Sequence, residues 1–348
     1  MHKMGRTPTE GLTSETIAVL GAGVWGTALA VILARQGHNI SLWGSDEARM
    51  ARIAHERCHA VALPGVDFPP LLTVESDLKQ ACTAASGILL AVSSGGFRTV
   101  TRALASFCDD RQVVVWATKG LESGSHKRLS EIYAEIRPGR PATVITGPTF
   151  AKEVAAGLPT ALTVASDDIA VAETVASWLR NERLRVYTSD DVVGAEIGGA
   201  VKNVLAIAAG ISDGLGFGAN ARAALVTRGL AELLRLGVAL GARTETLMGL
   251  SGVGDLVLTC TDDLSRNRRL GLALARGRSL GAIVGELGQA VEGVASAREV
   301  YALAREHGID MPITEQVYEV LFGGRAPQAA VTALLGRDPK SECAGITP

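Results

Sequence analysis

A chain of 348 residues exceeds what one hydrophobic core usually organises, so two domains are expected. Hydrophobic residues make up 47% and charged residues 20%, which is enough apolar material for a large core. The net charge of −2 leaves no electrostatic footprint for nucleic acid or an anionic membrane.

Residues 1–14 are polar and lack the apolar centre of a signal peptide, so they read as a flexible extension. Thr16–Ala34 follows without a single charge. Ile17, Val19 and Leu20 suggest a buried strand. Gly21-Ala22-Gly23-Val24-Trp25-Gly26 is a G-x-G-x-x-G turn, and Ala28, Leu29, Ala30, Ile32 and Leu33 mark the buried side of a helix. Strand, glycine turn and helix in that order form the dinucleotide fingerprint. Gly21 permits the tight turn, Gly23 lets the backbone approach a pyrophosphate, and Gly26 lets helix and strand touch. Open N–H groups and the dipole at the helix start then hold phosphates. A run this long could span a membrane. Its three glycines, and the strand resuming at His38 after Arg35-Gln36-Gly37, argue for a soluble crossover with no membrane insertion.

After Thr16–Leu20, strands are expected at Ile40–Trp43, Leu71–Val74, Gly87–Val92, Gln112–Ala117, Ala142–Ile145, Thr160–Ala165 and Leu184–Tyr187. Helical patterns fall at Val24–Gln36, Glu47–Arg57, Gly96–Phe107, His126–Ile136, Thr149–Ala156 and Ile169–Asn181. This alternation predicts a mostly parallel, doubly wound sheet. Beyond Asp191 the strand signals stop. Val192–Ile211 is long and rich in Ala and Gly, and Ala221–Leu240, Ser296–His307 and Pro312–Phe322 carry helical stripes. The expectation is an α/β, Rossmann-type doubly wound sheet over 15–195, then an all-α domain over 196–336. A flexible tail covers 337–348. A catalytic cleft belongs between the domains, at the carboxyl ends of the strands.

Several residues stand out chemically. The second strand ends Trp43-Gly44-Ser45-Asp46, with no acid directly after it to bind a ribose 2′-hydroxyl. Arg49 would tolerate a 2′-phosphate, which favours NADP over NAD, although Asp46 could turn inward and Arg49 also suits a solvated helix face. Lys119 falls at the carboxyl edge of the sheet, placed to polarise a carbonyl or bind a phosphate, or as an ordinary loop lysine. Thr149 suits a helix N-cap or an anion contact. Lys202 interrupts an apolar run beside Gly198 and Gly199. Buried, it would lose basicity and serve as a proton donor; otherwise it would snorkel to the surface. Asp255 is a lone carboxylate among apolar residues, able to orient Lys202 or a substrate hydroxyl, or to cap a helix. Ser265, Arg266 and Asn267 form a compact donor set, and Arg grips phosphate bidentately. Arg268 and Arg269 read as outward-facing. Cys58, Cys82, Cys108, Cys260 and Cys343 are odd in number and widely spaced, which points to reduced thiols in a cytosolic protein. No ligand spacing suggests a metal.

The strings GAGVWGTALA at 21–30, LPG at 63–65, WATKGLE at 116–122, TGPTFAKEVAAGLPTA at 146–161 and GGAVKN at 198–203 resemble one family. So do GFGANARAALVTRGLAE at 216–232, GVGDLVLTCT at 252–261, SRNRRLG at 265–271 and VEG at 291–293. The family is bacterial NAD(P)-dependent glycerol-3-phosphate dehydrogenase, and the resemblance runs from about Thr16 to Gly336. It implies reversible NAD(P)H-dependent reduction of dihydroxyacetone phosphate to sn-glycerol 3-phosphate, feeding glycerophospholipid synthesis in a cytoplasmic homodimer. It implies Lys202 as general acid/base, assisted by Lys119 and Asp255. Gly147, Thr149, Asp255, Ser265, Arg266 and Asn267 would complete the substrate pocket with the two lysines. Gly21, Gly23, Val24, Trp25, Gly26, Ser45, Lys119, Ala151, Arg266 and Glu292 would form the cofactor site. The chain departs from the family at Ser45, often basic or His there, and at Val24, often small and polar. The alternatives are a dehydrogenase of another small hydroxy acid, or a non-catalytic NAD(P)-sensing protein.

Overall fold

Strand β1 (Thr16–Leu20) runs into the glycine turn, and α1 (Val24–Arg35) then buries every residue from Gly26 to Ala34. The computed structural model describes residues 14–287 and 291–338. Of the expected extension it therefore includes only Ser14, whose hydroxyl donates to the Gly37 carbonyl at 2.8 Å. Of the expected tail it includes Arg337, which pairs with Asp310, and Asp338. Cys343 lies outside the described residues, and the other four cysteines are free thiols.

The alternation continues through β2 (Asn39–Trp43), α2 (Glu47–Glu56), β3 (Leu72–Glu75), α3 (Leu78–Thr83), β4 (Gly87–Leu90), α4 (Ser94–Ala105) and β5 (Val113–Trp116). Next come α5 (Leu129–Ile136), β6 (Thr143–Thr146), α6 (Ala151–Ala155), β7 (Thr160–Ser166), α7 (Ile169–Leu179) and β8 (Leu184–Ser189). Among the described residues these eight strands form one sheet, ordered β3-β2-β1-β4-β5-β6-β7-β8. The first six are parallel, and their order reverses between β1 and β4, where a doubly wound sheet opens its ligand crevice. Strand β7 runs antiparallel to β6, and β8 parallel to β7. The connection between β6 and β7 holds only the five-residue helix α6, which rises about 7 Å.

Helix α8 (Val192–Gly214) begins in the core of the sheet, where Val192 and Ala195 pack, and becomes the axis of the helical half. Among the described residues it is the one helix long and apolar enough to cross a bilayer, and its neighbours bury almost all of it. They include α9 (Gly218–Ala239), α10 (Thr244–Leu247), α11 (Asp255–Thr261), α12 (Arg266–Ala275), α14 (Glu292–Glu306) and α15 (Pro312–Phe322). Helices α13 (Leu280–Leu287) and α16 (Pro327–Leu335) pack on α12. A π-helical turn, Leu250–Gly254, leads into α11. A Cβ on Gly210 would land on the Arg268 carbonyl, and one on Gly271 on the Ile207 carbonyl. Helices α8 and α12 thus cross backbone to backbone, which brings Lys202 and the start of α12 to one place.

Candidate active site

A cleft of about 380 Å³ separates the carboxyl edge of the sheet from the helical half. On the sheet side the glycine turn is as tight as its spacing predicts. Gly21 has φ +123°, and a Cβ there would come within 2.6 Å of the Ala91 carbonyl oxygen. A Cβ on Gly26 would strike the Gly21 carbonyl, whereas nothing stands within 4 Å of a Cβ on Gly23. Helix α1 starts at Gly23 with no side-chain cap and no acid in its first turn. Its first N–H groups are open to an anion, and the buried Trp25 indole N–H has no protein partner. These features fit the pyrophosphate of a dinucleotide.

Asp46 does not turn inward. Its carboxylate accepts the Arg49 N–H at 3.0 Å, caps α2, and lies 3.4 Å from the Arg49 guanidinium. The Arg49 Nε is buried without a partner. Helix α2 presses on the glycine turn because residue 44 is Gly: a Cβ there would meet Met50 Sδ at 2.8 Å and Ala22 Cβ at 3.1 Å.

The chemistry concentrates on three charges. Lys119, just beyond β5, donates from Nζ to Asp255 Oδ2 at 2.7 Å and to the Gly147 carbonyl at 3.2 Å. Lys202 donates to the other carboxylate oxygen, Asp255 Oδ1. Asp255 is fully buried and bridges the two ammonium groups from the first residue of α11. Lys202 does not snorkel, since only 7% of it is exposed. Its surroundings converge because a Cβ on Gly198 would land on the Ser251 carbonyl, and one on Gly199 would sit 3.6 Å from the Lys119 stem. Burial pushes Lys202 down to about 8; Asp255 opposes that drop and the Lys119 ammonium deepens it. Burial pushes Asp255 upward, but the two ammonium groups outweigh it and hold the carboxyl below its ordinary range. The carboxylate form of Asp255 is thus favoured beside a lysine whose basicity burial lowers.

At the far end of the cleft, Ser265 caps α12 by accepting the Arg268 N–H at 3.2 Å. Asn267 accepts the Gly293 N–H at 3.0 Å and donates to Asn203 Oδ1 at 2.8 Å, tying α12 to α14 and α8. Arg266 stands 3.9 Å from Glu292, the first residue of α14.

Val24, Trp25, Lys119, Thr149, Ala151, Lys202, Asp255, Ser265, Arg266, Asn267 and Glu292 therefore line one cleft. Gly21, Gly23 and Gly26 shape the turn beneath it, and Gly147 joins through its carbonyl. Ser45 is exposed at the end of β2, outside that lining. Two expectations need correction. Thr149 is not a helix cap: α6 starts two residues later with Phe150 at its N-cap, and the Thr149 hydroxyl bonds back to the Gly147 carbonyl at 3.3 Å. Gly147, with φ +125°, turns the chain there before the helix can begin. Arg268 is not outward-facing, because the opening turn of α12 points it at Asp213 near the end of α8. Arg269 is exposed, as expected, but stands at the cleft rim. The sequence reading missed Asn203, a buried lining residue whose Nδ2 has no protein partner. Its signal was there: it follows Lys202 in the same apolar run.

Known proteins share this two-part architecture. Residues 16–172 match the model for the N-terminus of NAD-dependent glycerol-3-phosphate dehydrogenase, and residues 191–332 match the model for its C-terminus. The chain belongs to the NAD-dependent glycerol-3-phosphate dehydrogenase family. A glycerol-3-phosphate dehydrogenase [NAD(P)+] of Thioalkalivibrio sulfidiphilus is 60% identical over 332 residues, covering 95% of this chain and all of that one. The crystal structure of the Coxiella burnetii glycerol-3-phosphate dehydrogenase superposes with a TM-score of 0.91 at 45% identity, covering 93% of this chain and 99% of that one. D-mandelate dehydrogenase, at 14% identity and a TM-score of 0.62, covers 91% and 99% and shares the fold alone.

Proposed function

We propose that this cleft carries out the family's reaction, the reversible reduction of dihydroxyacetone phosphate to sn-glycerol 3-phosphate. The observation that carries the reading is the Lys119–Asp255–Lys202 bridge at the mouth of a dinucleotide turn. The nicotinamide cofactor, when bound, supplies the hydride. Lys202 gives its proton to the carbonyl oxygen as that oxygen becomes an alcohol, and takes a proton back in the reverse direction. Asp255 fixes the Lys202 ammonium in place. Lys119 holds the carbonyl oxygen and offsets its developing charge. Ser265, Arg266 and Asn267, with Gly147 and Thr149, receive the phosphorylated end of the substrate at the start of α12.

On the cofactor side, Gly23 and the open start of α1 hold the pyrophosphate, with Val24, Trp25, Ala151, Arg266 and Glu292 around the rest. NADPH is favoured over NADH: Ser45 offers no carboxylate, Asp46 is occupied as a cap, and the Arg49 Nε lacks a partner. The family likeness further supports a cytoplasmic homodimer without membrane insertion, whose product enters glycerophospholipid synthesis. It also supports a division of labour between a cofactor domain (15–195) and a substrate domain (196–336).

The decisive measurement follows NAD(P)H absorbance with dihydroxyacetone phosphate and with carboxylated ketones of similar size. The reading holds if oxidation requires the phosphorylated ketone, and fails if a carboxylated ketone is the better substrate. Arg49→Glu should lower affinity for NADPH more than for NADH.

A further inference from the structure

Helix α12 opens with Arg266, Arg268 and Arg269 at the positive end of its own dipole, an unfavourable crowding of cations. Arg268 escapes it by turning away from the cleft. Its guanidinium meets Asp213 Oδ2 at 2.6 Å with one nitrogen and Asp263 with the other, and only 9% of the side chain is exposed. Asp213 has a second partner in Arg222 at 2.9 Å. Asp263 has a different position: its side chain is 78% exposed, and it lines the cleft beside Ser265 and Arg266. An unpaired carboxylate there would face the dianionic end of a phosphorylated substrate.

We propose that Arg268 is a positioning residue for phosphate recognition: it neutralises Asp263 and anchors the Asp262–Ser265 loop against α8. The inference rests on reading the cleft as a phosphoketone site. A fork bridging two carboxylates suits the task, and a lysine has no such fork.

The test compares the wild type with Arg268→Gln and Arg268→Lys, each with and without Asp263→Asn. The readouts are KM for dihydroxyacetone phosphate, kcat/KM for phosphate-free dihydroxyacetone, and the NAD(P)H dissociation constant from nucleotide fluorescence. Arg268→Gln should raise KM for the phosphorylated ketone about tenfold, the scale of one lost charge-assisted bond. Cofactor binding and the phosphate-free reaction should stay unchanged, and Asp263→Asn should recover most of the loss. Damage to packing alone would raise both KM and the NAD(P)H dissociation constant, lower kcat/KM for the phosphate-free ketone, and would not be rescued by removing a second charged partner; that pattern, or an unchanged KM, overturns the inference. If Arg268→Gln does not fold, the Arg268→Lys pair makes the same comparison with a smaller rise. A wild type that leaves dihydroxyacetone phosphate untouched refutes the proposed reaction first, and this inference with it.

Discussion

Lys202 and Asp255 were legible as single residues because each places a charge inside an apolar run, where an unpaired charge is too costly to persist. Their pairing follows from that cost. Lys202→Ala should lower turnover by about 10²–10⁴, the range of a lost general acid, while the NAD(P)H dissociation constant stays put. Near-normal turnover would remove Lys202 from the mechanism. Ketone reduction needs Lys202 protonated, so its rate should fall as pH rises through about 8, and alcohol oxidation should rise through the same value. Asp255 holds the lysine up against burial. In Asp255→Asn the break in the pH–rate profile should therefore move to lower pH, and an unmoved break would show that the carboxylate does not tune the lysine. Arg268 was illegible for the opposite reason. It sits in a run of like charges that gives no orientation, and Asp213 lies 55 residues away in the chain.

Among the elements, strands and helices could be placed from the glycine turn and the apolar periods, but directions and caps could not. An apolar strand reads the same both ways, so nothing in Thr160–Ala165 announced that β7 runs antiparallel. Pro312 did mark the start of α15. Its cap, however, comes from Glu232 on α9. That buried carboxylate accepts the Ile313 N–H at 2.5 Å, the Thr314 N–H at 3.1 Å and the Thr314 hydroxyl at 2.9 Å. Glu232→Ala would leave those donors unsatisfied and should cost about 1–3 kcal/mol in urea unfolding. Glu232 is absent from the cleft lining, so cofactor affinity should be retained. Burial pushes Glu232 up to about 7 from an ordinary 4.5, so between those values the native state holds a proton that the unfolded chain releases. Wild-type stability should therefore decline as pH rises through that window. The alanine variant should show a shallower decline, and identical slopes would mean that Glu232 titrates normally.

At the scale of the whole molecule, long-range contacts join the two halves that flank the cleft. Glu196 on α8 accepts from the Ser130 N–H at 2.9 Å, the Ser130 hydroxyl at 2.5 Å and the Trp116 indole at 3.3 Å, joining the helical axis to the sheet. A second fastening closes the loop that carries Lys119. That loop leaves β5 and returns at α5, and near its far end His126 adopts a left-handed conformation with φ 59°, which is strained for a non-glycine residue. His126 Nδ1–H donates to Glu299 Oε2 on α14 at 2.5 Å, and the Gly124 N–H donates to the same oxygen at 3.2 Å. Glu299 is almost fully buried, so this oxygen holds the strained turn against the helix whose first residue, Glu292, lines the cleft. Glu299→Ala should release the turn. The amides of residues 118–128 should then exchange with solvent faster, and KM for both cofactor and ketone should rise by a similar factor of roughly 3 to 10. The pH at which reduction fails should not move, because Lys202 and Asp255 keep their own contacts. Unaltered exchange across 118–128 would mean that the loop holds its shape without Glu299.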